Sequence, residues 1–196
     1  MLNETNLFFI FLSAFLINNI LLIRFLGLCS FIGISTNIKS SIGMGIAVVF
    51  VTVMACSLSW AVYNFLLAPF HLEYLRTTTF ILTIASFVQF EEMIIRKKLP
   101  ALYRAFGIYL PLITTNCVIL ASAFLGIDYK LSFIQNLIFS FGISFGYCFG
   151  IIIFATIREE IEIAPIPESF KGVPIAFILA ALMSLAFLGF KGLFKL

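Results

Sequence analysis

The chain has 196 residues, of which 62% are hydrophobic and only 11% charged, with a formal net charge of +3 and a mean hydropathy of +1.16. A water-soluble domain of this size needs a charged exterior that this composition does not supply, so the chain is expected to be an all-α integral membrane protein forming a single domain. The apolar runs do not alternate with polar residues, which excludes a transmembrane β-barrel, and the cations lie at the ends of those runs as topology determinants and form no nucleic-acid patch.

Six transmembrane helices are predicted. The first runs from about Leu7 to Ile34, longer than the roughly 20 residues a straight crossing needs, and is interrupted at Gly27. No basic segment precedes it, and Glu4 is the only charge before it, so no cleavable signal peptide is expected. The second covers about Ile42 to Leu67, opening on Gly43-Met44-Gly45, with Pro69 and His71 at the following turn. The third covers about Leu75 to Phe90 and closes on Glu91-Glu92, before the Arg96-Lys97-Lys98 and Pro100 boundary. The fourth covers about Leu102 to Leu125 with Pro111 inside it. The fifth, about Leu131 to Ile157, carries Gly142, Gly146 and Gly150, a ladder of small residues at helical spacing that permits close approach of another helix. A polar loop from Arg158 to Gly172 holds Glu159, Glu160, Glu162 and Glu168, read as a solvated face, and the sixth span covers about Val173 to Phe190.

If the N-terminus is on one side, the opposite side receives eight basic residues (Arg24, Lys39, Arg96, Lys97, Lys98, Arg104, Arg158, Lys171) and the N-terminal side four (Arg76, Lys130, Lys191, Lys195). That bias makes the eight-residue side cytoplasmic and both termini external. Three spans per half, about residues 1–98 and 99–196, would make the halves cross in opposite directions, as two inverted three-helix repeats with helices 1 and 4 broken at matched positions.

The four cysteines are Cys29, Cys56, Cys117 and Cys148, with no Cys-x-x-Cys pair and none in an aqueous loop, so a secreted-type disulfide framework does not fit. Cys29 follows Gly27, whose backbone can bend; Cys117 follows Thr115 and Asn116, with Pro111 six residues earlier, and these can satisfy or free backbone groups at a break. A break at bilayer depth is tolerated where it is buried in protein or lines a site. The two cysteines therefore stand under two readings: buried small hydrophobes, or metal ligands brought together at a common centre. Cys56 and Cys148 lie in continuous apolar helix and are read as packing residues. Arg24 either balances thiolates or snorkels to the interface. Gln89, Glu91 and Glu92 are read as solvated carboxylate and amide groups near Arg96 and Lys97, and His71 as a surface residue.

Phe25-Leu26-Gly27-Leu28-Cys29, Met44-Gly45, Tyr74-Leu75-Arg76-Thr77, Val88-Gln89-Phe90, Leu110-Pro111-Leu112-Ile113-Thr114-Thr115-Asn116-Cys117 and Met183-Ser184-Leu185-Ala186-Phe187 together resemble the A subunits of Rnf electron-transport complexes, which are similar to the D and E subunits of the sodium-translocating NADH:quinone oxidoreductase. The resemblance covers nearly the whole chain; Ser30 departs from it, standing where many members are expected to have proline. It implies a bacterial inner-membrane protein within a complex that moves electrons between ferredoxin and NAD and couples this to Na⁺ or H⁺ transport. It further implies a [2Fe–2S] cluster near the midplane, with Cys29 and Cys117 as this chain's iron ligands and two more from an oppositely oriented paralogue, the E subunit. The B, C, D and G subunits are the other implied partners, and flavin and NADH are expected to bind elsewhere. Two further readings stand beside this one: a small inverted-repeat ion or solute transporter using Asn18, Asn19, Thr114, Thr115 and Asn116, and a purely structural membrane protein.

Overall fold

The computed structural model describes residues 7–17, 19–35, 37–70, 73–98, 116–163, 165, 167 and 170–193. Among them every regular element is helical. The first predicted span is three short pieces: α1, Leu7–Leu12, continued by a π turn at Ser13–Ile17; α2, Ile20–Ile23; and α3, Leu28–Ile34. Asn19 caps α2, its side chain accepting from the Leu21 N–H. The chain then reverses its local path through Phe25 (φ 52°) and Gly27 (φ 89°). Left-handed backbone is disfavoured for residues with a Cβ, which is why glycine stands at the second position. The predicted break is therefore present and spans Arg24 to Gly27. The sequence signals a further interruption, just before α2, only through the polar pair Asn18-Asn19.

The next helix, α4, is Ile38–Val62; it runs on through a π turn, Tyr63–Leu67, and a last turn, Ala68–Phe70. The expected turn at Pro69 is instead helical. Proline has no N–H and crowds the carbonyl four residues back, and the wider π turn just before it accommodates both demands without ending the helix. The third predicted span is a 3-10 turn, Glu73–Leu75, leading into α5, Arg76–Lys98, which continues past Glu91-Glu92. The fourth span is described from Asn116 onward, as α6, Cys117–Asp128. Pro111, Thr114, Thr115, Arg104, Asn18 and His71 lie outside the described residues. Helix α7, Phe133–Ile163, includes Arg158-Glu159-Glu160, which the sequence pattern assigns to a loop; no proline or glycine stands between Gly150 and Pro165 to stop it. The last helix, α8, is Val173–Leu193.

Helices α4, with its π extension, and α7 are each long and apolar enough to cross a membrane, and α6 and α8 are shorter apolar helices. The surface is apolar over wide areas: Ile46 and Phe50 of α4, Leu82 and Phe90 of α5, and Leu182 and Leu185 of α8 are all more than half exposed. Such a surface suits lipid and not water. Inside, several hydroxyls are satisfied along their own helices, Ser140 Oγ donating to the Asn136 carbonyl and Ser144 Oγ to the Ser140 carbonyl, while Thr52 Oγ1 and Ser59 Oγ are buried without a partner.

The core is built around α7, which packs along α4 and also against α1, the Ser13–Ile17 turn, α2 and α6. The glycine ladder is the reason the first span can approach it. A Cβ at Gly142 would lie 2.8 Å from Ala14 Cβ, and one at Gly146 2.9 Å from the Phe15 carbonyl oxygen. The close approach that the ladder permits is thus made from within the chain.

Candidate functional site: a cysteine pair at two helix starts

The break at Arg24–Gly27 and the start of α6 meet. Gly27 caps α3 and Asn116 caps α6, so Cys29 is in the first turn of one helix and Cys117 is the first residue of the other. The Gly27 N–H donates to Cys117 Sγ at 3.0 Å across 90 residues of sequence. Cys29 is two residues on from Gly27, so the contact sets its turn of α3 beside Cys117. The two cysteines singled out by sequence are therefore brought together. Cys29 is exposed and Cys117 partly so. Free cysteine is usually buried, so the exposure of Cys29 is unusual for a thiol in an apolar chain.

The surroundings of the pair are fixed by hydrogen bonds. Asn116 Oδ1 accepts from the Val118 N–H at 3.1 Å, the same local cap that Asn19 makes on α2. Ser30 Oγ donates to the Gly27 carbonyl at 3.0 Å and lies 2.7 Å from the Tyr147 hydroxyl. The α3 helix is then stacked on α7 through Phe31 and Phe154, whose ring centroids are 4.0 Å apart. Its far end is held by Arg158, which donates from Nη1 to the Ile32 carbonyl at 2.8 Å and to Ser35 Oγ at 2.9 Å.

Other predicted residues are placed elsewhere. Cys56 is buried and lies 3.1 Å from Ser122 Oγ; Cys148 packs against Gly45, where a Cβ would come within 2.5 Å of its sulfur. Asn19 has both ends of its carboxamide engaged, Oδ1 with Leu21 and Nδ2 with the Gly146 carbonyl at 3.0 Å. Arg24 is exposed at the end of α2, beside the break. Glu91 is partly exposed, with one carboxylate oxygen, Oε2, covered and without a hydrogen bond. Sequence alone does not single out Ser30, Tyr147 or Arg158 as site residues; in the basic-residue pattern Arg158 is only a topology cation.

Among the described residues no three of His, Cys, Asp and Glu gather as a metal-binding group. Two thiols and a backbone N–H donor fit one half of a four-thiolate iron–sulfur site, and they do not make a whole one.

Fold and site together define a helical membrane protein with a pair of cysteines at two helix starts. The chain matches the model of the family described as Rnf-Nqr subunit, membrane protein, over residues 7–194, and it belongs to that family. It is 52% identical to the A subunit of the ion-translocating oxidoreductase complex of Shewanella oneidensis, over 94% of this chain and 96% of that one. It is 48% identical to the protein of the same name from Syntrophotalea carbinolica, over 96% and 97% of the two chains. It is 47% identical to the A subunit of the proton-translocating ferredoxin:NAD(+) oxidoreductase complex of Clostridium ljungdahlii, over 95% and 97%.

Proposed function

We propose that this chain is the A subunit of an ion-translocating ferredoxin:NAD⁺ oxidoreductase complex and supplies Cys29 and Cys117 as half the ligands of a [2Fe–2S] cluster within the membrane. The observation that carries the reading is the meeting of two helix starts, each bearing a cysteine, with the Gly27 N–H on the Cys117 sulfur. N–H donors of this kind are among the groups that set an iron–sulfur potential. The openness of Cys29 supports completion by a partner, and an inverted paralogue, the E subunit, built on the same plan would add two thiolates. The B, C, D and G subunits complete the assembly, and this chain has no full active site of its own.

When bound, the cluster supplies a one-electron relay in a bilayer core about 30 Å thick. The chain's own residues bind and orient. Cys29 and Cys117 provide the sulfurs. Gly27 gives the left-handed turn that aims its N–H at Cys117, and Asn116 fixes the start of α6. In this reading the six spans form two inverted repeats with both termini outside. The alternative transporter reading loses Asn19, whose carboxamide is already committed to Leu21 and Gly146.

Iron quantitation and EPR on this chain alone, on the paralogue alone and on the co-expressed pair test the proposal. About two irons per heterodimer and none stably held by either chain is the expected result. A full cluster on the isolated chain would rule out the shared site, and a colourless, iron-free pair would rule out the cluster.

A further inference from the structure

Tyr147 is fully buried in the middle of α7, with 1% of its surface exposed. Its surroundings are specific. The Ser30 hydroxyl has one proton, and it is given to the Gly27 carbonyl. With the Ser30 proton on the Gly27 carbonyl, the Tyr147 hydroxyl is the donor in the 2.7 Å contact with Ser30 Oγ; the two hydroxyls form one hydrogen bond in either direction. That leaves the tyrosine oxygen's lone pairs to face outward from Ser30. The Asn116 carboxamide and the Tyr147 ring converge on the same glycine: a Cβ at Gly27 would lie 3.4 Å from Tyr147 Cε2 and 3.6 Å from Asn116 Oδ1. The Asn116 Oδ1 is taken by the Val118 N–H, and its Nδ2, at a residue only 3% exposed, completes no hydrogen bond. Tyr147 thus stands where the residue after Cys29 and the residue before Cys117 come together.

We infer that Tyr147 is a positioning residue for the cysteine pair, a clamp that ties the start of α3 through Ser30 to a point on α7 that lies against the start of α6. Burial makes such a link consequential, since a buried polar group that loses its partner carries the full cost of its lost solvation. The Phe31–Phe154 stack and Arg158 hold the middle and far end of α3, and at its Cys29 end the Ser30–Tyr147 bond is joined by the Gly27 N–H to Cys117. That helix is seven residues long, too short to hold its geometry unaided. The separation and relative orientation of the two sulfurs are then set by a side chain that touches neither as a ligand. Ser30 is integral to this arrangement, so proline at that position would need a different way of fixing α3.

The inference rests on the cluster reading above, and its test is made on the assembled complex. Tyr147→Phe removes one oxygen and keeps the ring. The expected result is normal iron content on isolation, a broadened or shifted EPR spectrum of the reduced cluster, and iron release to a chelator about tenfold faster, the factor that corresponds to 1.4 kcal/mol. Ser30→Ala should reproduce both changes. The double variant should resemble either single one, because both remove the same link, whereas independent effects would multiply to about a hundredfold. Ser140→Ala, which loses a bond to its own helix and a contact with the packing residue Cys56, should match the unmodified complex.

A Tyr147→Phe complex with unchanged spectrum and release rate overturns the inference. So does multiplication of the two single effects, or an equal effect from Ser140→Ala. If the unmodified complex carries no EPR-active iron, the cluster reading falls separately. The clamp is then judged on the metal-free complex by the rate at which a short bifunctional thiol reagent links Cys29 to Cys117. A slower rate in Tyr147→Phe supports it, and an equal rate overturns it.

Discussion

Replacing Arg158 by methionine removes a cation from one end of α3 while keeping much of the side chain's apolar length. Arg158 is 9% exposed, and its guanidinium donates to the Ile32 carbonyl and to Ser35 Oγ at 2.8 and 2.9 Å. Hydrogen bonds from a charged donor contribute about 1.5–3 kcal/mol each, and a buried carbonyl left without a donor costs about 1–3 kcal/mol. These overlap, since the second is part of the first, and relaxation of a short helix recovers some of the loss. A net destabilisation of about 2–4 kcal/mol is expected. For a chain of this size 1 kcal/mol moves a melting temperature by about 2–4 °C, so Arg158→Met should melt about 5–15 °C lower in the purified complex. Arg158→Lys keeps the charge with a single ammonium in place of the fork and should recover part of the loss. Ser35→Ala removes one of the two acceptors and should cost less than Arg158→Met. The assay is thermal unfolding followed by size-exclusion of the surviving complex, with membrane orientation checked in parallel. If Arg158 were only a topology determinant, both Arg158 variants would keep the native melting temperature, and that result would refute the capping argument.

Three further outcomes are expected. Cys29→Ser and Cys117→Ser should each lose the cluster, because a hydroxyl is a poor substitute for thiolate on iron, while Cys56→Ser and Cys148→Ser keep it; iron loss from the Cys148 variant with retention in the Cys29 variant would reverse the ligand assignment. Lys97→Cys should be labelled by an impermeant thiol reagent from the cytoplasmic side and Lys195→Cys from outside, following the bias in basic residues; labelling of Lys97→Cys only from outside would invert the topology. Gly27→Ala combines φ of 89° with a Cβ 2.6 Å from Val118 Cγ2. The backbone strain alone is about 1–2 kcal/mol, so adding Val118→Ala should restore only part of the stability lost, and full restoration would show that the left-handed turn is not required.

Where glycine signals a break at Gly27, the sequence is legible, whereas Pro69 suggests a turn that the helix runs through. Gly27 sits in an otherwise apolar run, and a backbone that turns left-handed there is what its missing side chain permits. The sequence also offers a common centre for Cys29 and Cys117 as one reading, and the structure brings the two helix starts together. The bond that joins them, from the Gly27 N–H to Cys117, is a tertiary fact that no local pattern encodes. Asn19 shows how a correct observation can be assigned the wrong purpose. An asparagine in mid-span stands out, but the apolar run around it hides that it begins a new helix and reaches Gly146. Tyr147 is invisible for a compositional reason: in a chain with 25 phenylalanines and 6 tyrosines, one more aromatic in an apolar helix carries no signal until Ser30 is seen beside it. Arg158 is misplaced by any reading that ends α7 where its apolar run ends. The acidic pair after it looks like a loop, whereas charged residues extend a helix well when no proline intervenes.

The two cysteines are secured differently, and α7 accounts for the difference. Cys117 opens a helix of 12 residues with its own asparagine cap and a face packed along α4. Cys29 is on a seven-residue piece between two bends. That piece touches α7 at its start through Ser30 and Tyr147, at its middle through Phe31 and Phe154, and at its end through Arg158. Residues 147, 154 and 158 are seven and four apart, so they share one face of α7. A shift or loosening of that face would move Cys29 and leave the cap of α6 intact. The position of the exposed thiol is therefore a property of the fifth predicted span as much as of the first, and substitutions there should alter the cysteine pair without touching either sulfur.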